Sequence, residues 1–63
     1  MPYCVYSLSN LKTGSFSIEL EPFTASWPRA ASPEDLVFCL ALCPNLESAR
    51  ENLNFYKNLY KIS

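Results

Sequence analysis

The chain has no histidine and a single glycine among its 63 residues. Without histidine there is no imidazole base, no Ser–His or Cys–His pair, and the commonest metal ligand is missing. One glycine cannot build a glycine-rich phosphate loop. Charge is sparse and balanced: five basic against six acidic residues, a formal net charge of −1. That leaves neither a basic footprint for nucleic acid nor an acidic tail. Long apolar runs are also absent. The longest, Leu36 to Cys43, is eight residues, far short of the roughly 20 a membrane-spanning helix needs. No basic stretch followed by an apolar one opens the chain, so no signal peptide is expected.

What is present is apolar and aromatic side chain, 49% and 14% of the residues. This composition argues for a folded core and against disorder. The length allows one small domain, residues 1–63, that buries only about 60% of its unfolded surface. The expected division is a hairpin over 1–20, a proline-containing linker over 21–31 and a helical part over 32–63.

The hairpin rests on alternation. Phe16, Ile18 and Leu20 fall on one face of a strand and Ser15, Ser17 and Glu19 on the other. Upstream, Cys4, Tyr6 and Leu8 share a face opposite Val5, Ser7 and Ser9. Lys12-Thr13-Gly14 fits a three-residue loop with glycine at positive φ. That loop sets Leu8 opposite Ile18 and Tyr6 opposite Leu20, so the two apolar faces coincide.

Pro22 and Pro28 deny the linker both a long helix and a central strand. Its Phe23 and Trp27 are read either as plugs for the core or as exposed anchors for a partner, tryptophan being frequent at binding hot spots. Ser32-Pro33-Glu34-Asp35 has the form of a helix start: a capping serine, proline at the first helical position, then acids. The uniformly apolar run to Cys43 that follows, stopped by Pro44, reads as a buried helix, or alternatively as a third strand. Asn45 can cap a last helix from Leu46 to about Lys61. Its stripe is Leu46, Ala49, Leu53, Tyr56 and Tyr60, widened by Phe55, Leu59 and Ile62. The expected fold is therefore α+β, β-β-α-α, with β-β-β-α as the alternative.

The three cysteines, Cys4, Cys39 and Cys43, are an odd number without a Cys-x-x-Cys pair. They read as small buried hydrophobes and free thiols of a reducing, cytoplasmic setting. A disulfide requires Cys4 to pack against the middle run. The acids Glu19, Glu21, Glu34 and Asp35 read as solvated surface and helix-dipole complement. No cofactor or metal is expected.

The pattern Val5-Tyr6-x-Leu8-x-Asn10-Leu11-Lys12-x-Gly14-x-Phe16-x-Ile18 resembles the first hairpin of the GIY-YIG endonucleases, over about a third of the chain. The resemblance puts Tyr6 at the first-motif tyrosine. It likens Asp35-Leu36-Val37-Phe38 to that family's third strand, and Glu47-Ser48-Ala49 with Lys57 to its next helix. The chain departs from the family where catalysis needs it. Ser17-Ile18-Glu19 replaces the second motif, the segment of the catalytic arginine holds only Arg29, and the family's metal-binding glutamate would fall near Leu53, which cannot hold a metal. The resemblance thus implies at most an inactive relative that binds nucleic acid. The residues themselves point to a non-catalytic module that binds a protein, as accessory subunit, inhibitor or homodimer, through Trp27, Phe23, Phe55, Leu59 and Tyr60.

Overall fold

The computed structural model describes residues 1–24, 27 and 33–61. The chain is α+β, in the order β1 (Tyr3–Asn10), β2 (Ser15–Pro22), β3 (Asp35–Cys43) and α1 (Leu46–Leu59). The three strands form one sheet in the order β2-β1-β3, and β1 pairs antiparallel with both neighbours. Helix α1 lies on one face. The result is a thin slab of 33 × 29 × 13 Å.

The middle run is a third strand, the alternative, and not the helix expected first. Glu34 sits in a turn and extended backbone begins at Asp35; Ser32, the expected cap, lies outside the described residues. The reason is tertiary. Without β3, strand β1 would leave a full edge of N–H and C=O groups unpaired against the core. An eight-residue run with no charge satisfies that edge, and local cap preference is worth only about 1 kcal/mol against it. Asn10 Nδ2 donates to Asp35 Oδ1 at 2.8 Å, fastening the start of β3 to the end of β1.

The hairpin forms in a register one residue away from the expected one. Tyr6 faces Glu19 and Leu8 faces Ser17, while Ile18 lies opposite Ser7 and Leu20 opposite Val5. The loop takes four residues, Leu11 to Gly14, because Asn10 organises it. Its Oδ1 accepts from the backbone N–H groups of Lys12 and Thr13 at 2.9 and 3.1 Å, and its carbonyl accepts from Gly14 at 2.8 Å. A one-residue shift exchanges the faces of a strand. Val5 therefore joins Ile18 and Leu20 on the helix side, and Cys4 and Tyr6 go to the other.

Gly14 closes the loop at φ +75° with open space around its Cβ position. Gly14→Ala is therefore a pure backbone test. It is expected to lower stability by about 1–2 kcal/mol, the left-handed penalty for a residue with a Cβ, read as a lower urea midpoint at unchanged slope.

The core is Val5, Ile18, Cys43 and Ala49, with Tyr3, Leu20, Leu40, Ala41, Leu53 and Tyr56 packed around it. Ala49 is fully buried, and its small side chain lets α1 lie close on the sheet. Between Val5 and Tyr6 the β1–β3 register slips: Val5 pairs with Ala41 and Tyr6 with Cys39, leaving Leu40 as a bulge. The Tyr56 hydroxyl donates to the Leu40 carbonyl at 3.3 Å. The cap expected at Asn45 forms, with Oδ1 accepting from Ser48 N–H at 2.8 Å. The helix ends at Leu59, slightly earlier than expected.

Candidate functional site

Two surfaces deserve comparison: the sheet face opposite α1 and the outer edge of β3. The first is the outer face of β1, which carries Cys4 and Tyr6. Trp27 is the described residue that covers it. Its ring stands edge-on to Tyr6 at 5.4 Å, and Phe23 lies 5.3 Å from it. Trp27 is half-buried, Phe23 more exposed, and the indole Nε1–H is buried with no acceptor among the described residues. Beneath them Tyr6 is 1% exposed and donates its hydroxyl to Glu21 Oε2 at 3.1 Å. This face is a second, aromatic core, and it explains why Cys4, Val5, Tyr6 and Ser7 are consecutively buried.

Two buried protons follow from that core. Burial raises the Tyr6 hydroxyl above its ordinary value, helped by Glu21. Burial also pushes the Cys4 thiol up to about 12, helped by its contact with Cys39. Both groups are neutral when protonated, so the folded chain keeps protons that the unfolded chain releases. Stability from these groups is complete below about pH 9 and is lost as pH rises through the folded value of Cys4. The urea midpoint is expected to fall progressively as pH rises above about 9, and Cys4→Ser to remove part of that fall.

The sequence-derived anchors divide between two places. Trp27 and Phe23 sit together over Tyr6. Phe55, Leu59 and Tyr60 are exposed on α1, where Tyr60 meets Phe16 edge-on at 5.5 Å and Phe55 meets Tyr56 at 5.2 Å. The structure does not join the two groups into one site. Of the positions that the nuclease resemblance singled out, Tyr6 is sealed, Leu53 packs on the core, and Arg29 lies outside the described residues. Among the described residues no group of three His, Cys, Asp or Glu side chains could hold a metal, and no helix is long and apolar enough to cross a membrane.

The exposed side chains of β3 were missed by sequence reasoning, which took this run to be buried. Leu36 and Phe38 are exposed on the α1 side and Leu42 and Cys39 on the opposite side, Phe38 at 65% and Leu42 at 59%. Among the described residues β3 has only β1 as a strand neighbour. From Leu36 to Cys43 it carries no charge and no proline. The other edge, β2, is protected in the usual way, with Glu19, Glu21 and a terminal Pro22 that lacks an N–H. The signal that could have found this asymmetry is the contrast between those two strands in charge and proline.

No family model matches the chain, and no curated protein or solved structure matches it either.

Proposed function

We propose that this protein is a non-catalytic protein-binding module whose binding element is the outer edge of β3 from Leu36 to Cys43. The observation that carries the reading is the asymmetry of the sheet. One edge has charges and proline against strand addition, and the other has, from Leu36 to Cys43, an eight-residue run without charge or proline. A row of backbone donors and acceptors without a strand partner among the described residues selects an extended strand as its ligand, and exposed Leu36, Phe38 and Leu42 select an apolar one.

The occupant we favour is a second copy. β3 is itself such an apolar strand. Antiparallel pairing about a two-fold axis near Cys39 would put the Asp35 of each copy at opposite ends, so no like charges would meet. Two three-stranded sheets would become one of six strands, a common sheet size. Sedimentation over a range of concentrations tests this. A monomer–dimer equilibrium is expected; a single monomeric species into the near-millimolar range would contradict it.

A further inference from the structure

The thiols of Cys4 and Cys39 are 35 positions apart in sequence, yet their Sγ atoms are 3.0 Å apart. Cys4 is buried on central strand β1 and Cys39 is exposed on edge strand β3. Both lie on the sheet face opposite α1, one step removed from direct pairing, since Cys4 faces Leu42 and Cys39 faces Tyr6. A disulfide has an S–S length of about 2.05 Å, so roughly 1 Å of side-chain movement would close the bond. Cys43 is buried on the other face, within the α1 core, and is no rival for Cys4.

We propose that Cys4 and Cys39 form a dithiol site that closes to an intramolecular disulfide on exchange with a low-molecular-weight disulfide, stapling edge strand β3 to central strand β1. The proposal is independent of the association reading. The order of attack follows from access. Cys39 is reachable from solvent, while Cys4 is sealed and its thiol is pushed up to about 12 by burial. The Cys39 thiolate attacks one sulfur of the small disulfide, forming a mixed disulfide and releasing one thiolate. The Cys4 sulfur then displaces the second small thiolate and forms the Cys4–Cys39 bond. Two cysteine thiols are oxidised, one small disulfide is reduced to two thiols, and the two cysteine protons end on the released thiolates.

The test is incubation of the reduced full-length chain, dilute enough to disfavour contact between copies, with oxidised glutathione. Thiol counting in denaturant and intact mass follow. One titratable thiol should remain and the mass should fall by two hydrogens. Cys43→Ser should keep the bridge, Cys39→Ser should lose it, and the urea midpoint of the bridged chain should rise, because the link closes a long loop in the unfolded state. Cys39 is exposed, so its substitution leaves the fold intact. Three titratable thiols at equilibrium, a bridge that survives Cys39→Ser, or a covalent dimer as the only oxidised product would each overturn the proposal.

Discussion

Tyr6→Ala is expected to remove a large part of the folding stability, read as a much lower urea midpoint. Tyr6 is the largest fully buried side chain among the described residues, and it lies on the central strand beneath Trp27. Truncating a buried aromatic to alanine costs about 3–5 kcal/mol. A domain of this length has only about 3–9 kcal/mol in total, at the usual stability per residue. The slab cannot collapse around the gap from both sides, because one side is the sheet itself and the other is held by Trp27 and Phe23. Tyr6→Phe separates packing from polarity. It keeps the ring and loses the hydroxyl bond to Glu21, so it should cost about 1 kcal/mol. Trp27 is the only tryptophan and touches the Tyr6 ring. Its fluorescence should therefore report both results directly: a red-shifted spectrum for the alanine variant and a near-native one for the phenylalanine variant.

Phe38→Lys should do the reverse, leaving the fold intact and removing self-association. Phe38 is exposed near the middle of β3, so folding stability should change by less than about 0.5 kcal/mol. An edge lysine is one of the devices by which natural sheets refuse a further strand. In a two-fold interface the substitution occurs twice. If each desolvated ammonium costs about 1.4 kcal/mol, the dissociation constant should rise about 100-fold. Sedimentation of the variant alongside the parent chain reads this shift. A matched lysine on α1, Phe55→Lys, should leave association nearly unchanged, because Phe55 is exposed on the helix and not on the sheet edge.

The parts of the fold that are legible in the sequence are those decided within a few residues. Gly14 at positive φ, Asn45 as a cap and the α1 stripe of Ala49, Leu53 and Tyr56 all follow from local chemistry. The register of the hairpin does not, because it depends on one extra loop residue that the Asn10 side chain recruits. Alternation in β1 was a poor guide for a further reason. With α1 on one side and Trp27 on the other, Val5 and Tyr6 are both core. The state of the run from Leu36 to Cys43 turned on whether β1 had a second partner, which no window of that length contains. The Cys4–Cys39 contact and the place of β3 at the end of the strand order are hidden for the same reason: each is created when distant segments become neighbours.

Amide hydrogen exchange along β3, followed at micromolar and near-millimolar protein concentrations, tests the binding edge most directly. Amides of β3 that point away from β1 have no strand partner among the described residues, so they should exchange fast when dilute. At high concentration alternate amides between Leu36 and Leu42 should gain protection in the parent chain and not in Phe38→Lys. Exchange along β3 that is fast and independent of concentration, in a chain that sediments as a monomer throughout, would contradict the account.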